Sequence, residues 1–148
     1  MSQRLILTLE TGPVVIETFA DKAPKHVARI VELADAGFYD GLTLHRVIDG
    51  FMAQMGCPVG NGTGGSGKKL KAEFNDVSHQ RGVCSMARAQ SPDSGDSQFF
   101  ICFDDASFLD RQYTAWGQVV EGMENVDAAQ KGEPPRKPTK IVSFRSEG

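Results

Sequence analysis

The sequence predicts a mainly β protein, a closed eight-stranded antiparallel β-barrel capped by two α-helices. Three observations lead there. Eight short runs are alternating or rich in β-branched and aromatic residues, only two segments carry a helical period, and the strand–helix alternation of a parallel sheet is absent. Closing an antiparallel sheet into a barrel removes exposed strand edges, which suits this order of elements. With 148 residues, 40% of them hydrophobic, the chain can bury a core, and residues 1–148 are expected to form a single domain.

In chain order, Arg4 to Glu10 and Val14 to Phe19 read as strands joined at Thr11-Gly12-Pro13. Pro24 opens a helix to about Ala36, with Val27, Ile30, Val31 and Ala34 at helical spacing and Gly37 as the stop. Leu44 to Gly56 supplies two strands around Asp49-Gly50, a strong hairpin signal. A Gly-rich stretch, Pro58 to Lys71, reads as loop. Gly82 to Ala87 is a strand, and Ala89 to Gly95 a polar loop. Ser97 to Phe103 alternates, with Gln98, Phe100 and Cys102 on one face and Phe99, Ile101 and Phe103 on the other. Ala115 to Val120 is a strand and Met123 to about Lys131 the second helix, ended by Gly132. A Pro-rich linker then leads to a last strand, Lys140 to Arg145.

The hairpin carries the chemistry, and its register decides what that chemistry is. A two-residue loop (Asp49, Gly50) would place Arg46 opposite Ala53 and leave Gln54 on the other face. A three-residue loop (Asp49 to Phe51) pairs Ile48 with Met52 and Arg46 with Gln54, gathering a guanidinium, an amide and a thioether on one face. The second register is the one predicted here.

Other functions find less support. The net charge is −3 with no block of like charges, so neither a nucleic-acid face nor a membrane-attracting patch is indicated. The N-terminus enters a strand pattern at once and lacks a signal-peptide core, and no run approaches transmembrane length. Cys57, Cys84 and Cys102 are odd in number and widely spaced, which suits a reducing compartment and buried free thiols better than disulfides. Gly62-Thr63-Gly64-Gly65-Ser66-Gly67 matches a dinucleotide-binding glycine pattern and most of a P-loop. Lys69, however, stands where the P-loop needs Ser or Thr, and no helix follows to hold phosphate. His26, His45 and His79 and the cysteines lack metal-ligand spacing, so no metal and no cofactor is expected. Ser85 and Ser97 lie near no obvious His or Asp arrangement for acyl transfer.

Several segments together resemble the signature runs of the cyclophilin-type peptidyl-prolyl cis–trans isomerases. They are Leu44-His-Arg-Val-Ile-Asp-Gly-Phe-Met-Ala-Gln, Asn61-Gly-Thr-Gly-Gly, Ser85-Met-Ala-Arg-Ala, Ser97-Gln-Phe-Phe-Ile-Cys-Phe, Phe108-Leu-Asp and Trp116-Gly-Gln-Val-Val-Glu-Gly-Met. They cover most of the chain in the family's order. The resemblance implies an eight-stranded barrel with two helices and favours Arg46 opposite Gln54. It also implies that Arg46 is the catalytic arginine and Gln54 the glutamine that holds it. By the same token Phe51, Met52, Phe100 and Leu109 form the walls of a proline pocket, while Ala87, Arg88 and Gln98 grip the peptide before the proline. Gly62 lines the adjoining groove. Three positions depart from the best-known members: Arg88 stands for Asn, Phe108 for a Trp linked to cyclosporin binding, and Tyr113 for a His beside the pocket. The expected partners are therefore proline-containing peptides and unfolded or folded client proteins, with weak cyclosporin binding and no nucleic acid or membrane. The form expected is a short, bacterial-like, cytoplasmic monomer without cofactors. A non-catalytic proline-peptide binding module or holdase is the alternative; it would need the apolar pocket but not Arg46 and Gln54.

Overall fold

The computed structural model describes residues 3–147. Eight strands form one antiparallel sheet: β1 (Arg4–Leu9), β2 (Gly12–Thr18), β3 (Arg46–Ile48), β4 (Met52–Met55), β5 (Val83–Met86), β6 (Phe99–Cys102), β7 (Ala115–Glu121) and β8 (Ile141–Ser146). Their spatial order is β3-β4-β6-β5-β7-β2-β1-β8, so the sheet curls until its two outer strands approach each other. Two helices, α1 (Pro24–Asp35) and α2 (Met123–Asp127), and one 3₁₀ turn (Ser107–Leu109) complete the order. All eight expected strands and both helices are present, with ends differing by no more than two residues except in α2.

The barrel is curled but not fully closed, which corrects the expectation of a closed one. Strands β3 and β8 share no ladder; isolated bridges at Thr43–Lys140 and Val47–Gly132 span the gap. The sequence explains this seam. The segment facing β3 contains Pro134, Pro135 and Pro138, which have no N–H to extend a ladder. The second helix is shorter than its periodicity suggests. Lys131 Nζ donates to the Asp127 and Ala129 carbonyls at 2.7 and 3.1 Å, satisfying groups that a longer helix would bond internally.

Helix α1 packs against β8 and β7, and its Val27, Ile30, Leu33 and Ala34 join the same core as Ile141 and Phe144. Pro24 lies in its first turn, and Ala23 at the N-cap offers no side-chain acceptor. The Glu73 carboxylate takes that place, accepting the Lys25 and His26 amides at 3.2 and 2.8 Å and the His26 ring at 2.6 Å. Inside the barrel Tyr39, Phe99, Trp116 and Phe144 interlock, mostly edge to face, with Tyr39, Phe99 and Trp116 ring centroids 5.2 to 5.6 Å apart along the series. Tyr39 donates its hydroxyl to Ser97 O at 2.7 Å, so this buried phenol is satisfied.

Candidate active site

The hairpin adopts the register that places Arg46 opposite Gln54, with Val47 opposite Ala53 and Ile48 opposite Met52. Its turn is closed by the Phe51 amide donating to Ile48 O at 3.0 Å, and Gly50 sits at φ 73°. That left-handed position in the turn suits glycine. The neighbouring strands continue the row: Gln54 lies opposite Phe100, and Phe100 opposite Ser85. Directly opposed residues share a face, so Arg46, Gln54, Phe100 and Ser85 form one line across the outside of the barrel.

Along this line the polar groups are chained. Arg46 Nη1 donates to Gln54 Oε1 at 3.3 Å, and Gln54 Nε2 donates to Gln98 Oε1 at 2.9 Å. Gln98 Nε2 in turn donates to the carbonyls of Gly62 and Gly64, both at 2.9 Å. The Gly-rich loop is thus a scaffold for the two glutamines. Arg46 Nε is held from the other side of the seam by Glu133 Oε1 at 2.9 Å, while its Nη2 makes no bond among the described residues. Glu133 is distant in sequence, and no motif marked it.

Beside the guanidinium lies a cavity of about 150 Å³ lined by Phe51, Met52, Phe100, Leu109, Ala87 and Tyr113, with Arg46, Gln54 and Arg88 at its edge. Met52, Phe100, Cys102, Ala106 and Leu109 form an apolar cluster of their own, separate from the barrel core. A second groove of about 310 Å³ adjoins it and holds Gly62 and Gln98; the two share Gln54, Ala87 and Arg88. The residues singled out from sequence therefore come together in two neighbouring depressions. Phe108 is the exception. It stands 65% exposed outside both, with its ring 5.7 Å from that of Phe51.

Arg88 does not present a free charge. It donates to the carbonyls of Gln112, Ala89 and Gln90, and its guanidinium sits 4.5 Å over the Tyr113 ring. Two departures noted in the sequence thus pack against each other as one wall.

Three features were not read from the sequence. Under Phe100, His79 joins Asp110 to Ser85: Nδ1 lies 3.0 Å from Asp110 Oδ1 and Nε2 2.8 Å from Ser85 Oγ. Ser85 therefore has a His and an Asp beside it in space that no sequence spacing announced. His79 and Ser85 are wholly buried and the His79 ring stacks on Phe100 at 6.3 Å, so the trio is closed to substrate and ties the 3₁₀ turn to β5. Only folding could reveal it, since these residues carry no triad spacing. Burial pushes the His79 pKa below its usual value against the opposing pull of Asp110, and the ring is neutral near pH 7. His45, next to Arg46 in the chain, is buried under the Gly-rich loop. Its Nε2 is 3.6 Å from where a Cβ on Gly62 would stand, and burial lowers its pKa as well. Cys57 also lies under this loop, its sulfur accepting the Gly64 amide at 3.2 Å. What the arrangement offers chemically is a guanidinium donor, that of Arg46, beside an apolar pocket.

The family model of the cyclophilin type peptidyl-prolyl cis–trans isomerases matches residues 4–146. A relative in Brucella abortus, called a probable peptidyl-prolyl cis–trans isomerase, is 46% identical over 155 residues, covering 93% of this chain and 79% of its own. A crystal structure of a cyclophilin type isomerase from Cryptosporidium parvum superimposes with a TM-score of 0.93 at 26% identity, covering 100% of this chain and 99% of its own. A second structure of that protein, obtained in the presence of the dipeptide Ala-Pro, gives a TM-score of 0.91 at 27% identity and 99% coverage of both chains. The barrel with its two helices and the match along nearly the whole sequence lead to one conclusion: the chain belongs to the cyclophilin-type peptidyl-prolyl cis–trans isomerases.

Proposed function

We propose that the reaction takes place at Arg46, with the proline of a bound peptide seated in the cavity of Phe51, Met52, Phe100 and Leu109. The observation that carries this reading is the Arg46 guanidinium at the rim of that cavity, held on one arm by Gln54 and on another by Glu133, with Nη2 unbonded. Rotation about an X–Pro bond must break amide resonance against a barrier of about 18–20 kcal/mol. As the amide twists, its nitrogen pyramidalises and regains a lone pair that the planar isomers lack. A donor aimed at that nitrogen binds the twisted state better than either ground state, and this difference is catalysis. Arg suits the task because it stays protonated and its fork can be held on one arm while another reaches the substrate. The apolar walls keep the ring still and exclude water while the acyl side turns. A lowering of about 7 kcal/mol, roughly 10⁵-fold, is reasonable for such a site.

The substrates in this reading are proline-containing segments of client proteins, with the residues before the proline in the groove of Gly62, Gln98, Ala87 and Arg88. The Cryptosporidium relative obtained with Ala-Pro supports this choice of ligand. The same reading makes residues 1–148 one isomerase domain that works as a cytoplasmic monomer. Three buried cysteines free of disulfides support the reducing compartment. Cyclosporin binds weakly here, because Phe108 at the rim offers no indole N–H.

The test is Arg46→Ala, followed by exchange NMR on a short X–Pro peptide. Turnover falls at least about 100-fold while peptide affinity changes little, as expected for a contact made only in the transition state. Equal losses in both would mark Arg46 as a ground-state anchor, and no acceleration by the unmodified protein would leave a binding module or holdase.

A further inference from the structure

A third depression, of about 500 Å³, lies between α1 and the segment that follows the Gly-rich loop. Five cations line it, Lys25, Arg29, Lys68, Lys69 and Lys71, against one carboxylate, Glu32. Glu32 is already engaged by Arg29, whose Nη2 also donates to Ser66 Oγ at 2.9 Å. None of the four lysines makes an ion pair among the described residues, although the chain as a whole carries a net charge of −3. Charges of one sign gathered in a concave surface repel one another and focus a field that draws in anions. The sequence had shown no like-charge block, because Lys25 and Arg29 come from a helix more than thirty residues before the lysine run.

This groove meets the site already described at one residue. Lys69 lines both it and the 310 Å³ groove that adjoins the Arg46 cavity. We propose that the basic groove extends the substrate-binding surface and takes an acidic stretch of a client chain lying upstream of the proline. The direction rests on the reading above, in which residues before the proline occupy the 310 Å³ groove. A chain leaving that groove past Lys69 runs between Lys68, Lys71 and Lys25. An extended strand advances about 3.3 Å per residue, so a chain that has crossed the neighbouring groove brings only its residues well upstream of the proline to the lysines. Each exposed pair contributes little, so the preference comes from several together and fades with salt. A peptide rather than a nucleic acid is favoured because the groove continues a peptide groove and no exposed aromatic ring lies among its lining residues on which bases could stack.

The test compares two peptides with the same Ala-Pro centre, one carrying four glutamates and the other four glutamines beginning four residues upstream. Exchange NMR at low salt should give a kcat/KM about five- to tenfold higher for the glutamate peptide, mostly through KM. The advantage should vanish at 0.5 M NaCl and in the triple variant Lys25→Gln, Lys68→Gln, Lys71→Gln, whose rate on the glutamine peptide stays at the parent value. Equal rates on the two peptides, an advantage that survives the triple variant, or the same gain with the glutamates placed after the proline would each overturn the proposal. Tight binding of single-stranded RNA at 0.15 M NaCl without any preference between the peptides would overturn it in favour of a nucleic-acid surface. Acceleration of neither peptide would instead strike at the reading of the site itself.

Discussion

Strands β4 and β6 build both apolar clusters of this protein, one on each face. Inward, Ala53, Met55, Phe99 and Ile101 join Tyr39, Trp116 and Phe144 in a core from which water is excluded. Outward, Met52, Phe100 and Cys102 meet Leu109 and Ala106, with half-buried Ile48, Phe51 and Tyr113 around them. Neighbouring residues such as Phe99 and Phe100 thus serve opposite ends. The inner cluster is covered on all sides by the sheet and α1. The outer one is roofed only by a 3₁₀ turn and loops, and on its open side stands Arg46. Pleating alone lets one strand pair supply a sealed core and an open apolar cavity, provided the second face has its own roof.

Truncation of the two phenylalanines is the sharpest way to break this comparison. Phe99→Ala should cost about 3–5 kcal/mol of unfolding free energy, read from a denaturant titration, because it empties a site fully enclosed by other rings. Phe100→Ala should lose less than half as much and instead raise KM for X–Pro peptides at least about tenfold. Equal stability losses would mean that the outer cluster is core after all.

Acid separates the two regions more gently. His26, His45 and His79 all flank the outer loops, and burial lowers the pKa of each below its usual value. A histidine of depressed pKa is neutral in the fold while the unfolded chain takes up the proton. Stability is therefore full above about pH 6.5 and declines as pH falls from there, by up to about 1.4 kcal/mol per pH unit for each histidine. Thermal unfolding between pH 5 and 8 should show this slope, reduced in His79→Gln. A profile flat down to pH 5 would contradict the burial of these rings.

The smallest effect concerns Glu133. Its pair with Arg46 is exposed on both sides, so Glu133→Gln should change stability by less than about 1 kcal/mol. If the carboxylate positions the guanidinium, kcat should fall about three- to tenfold with KM nearly constant. A change confined to KM would assign Glu133 to substrate binding instead.

Much of this arrangement was legible in the sequence, for local reasons. Asp49-Gly50 with its flanking runs announced the hairpin, and the pairing of Arg46 with Gln54 followed from a choice between two turn lengths. The alternation from Gln98 to Phe103 separated the pocket side from the core side. What stayed hidden was non-local. Glu133 reaches Arg46 only because the sheet curls, and Asp110, His79 and Ser85 meet only because a 3₁₀ turn folds over β5. The end of α2 was missed because a lysine side chain, not a glycine, satisfies its last carbonyls.

The seam between β3 and the Pro-rich segment has a dynamic consequence. Within β3 only Val47 bonds across this seam, to Gly132 in each direction, while the chain before it is fastened by Leu44 N to Thr139 O and Ile141 N to Leu42 O, and no continuous ladder forms. Such an edge can open locally at a free energy well below that of global unfolding. The guanidinium spans this gap, fastened to Gln54 on one bank and Glu133 on the other. Arg46 is in that sense a clasp. Each brief parting of the seam loosens the guanidinium while the sealed core behind it stays intact, so the fold is supple at Arg46 without being soft at its centre.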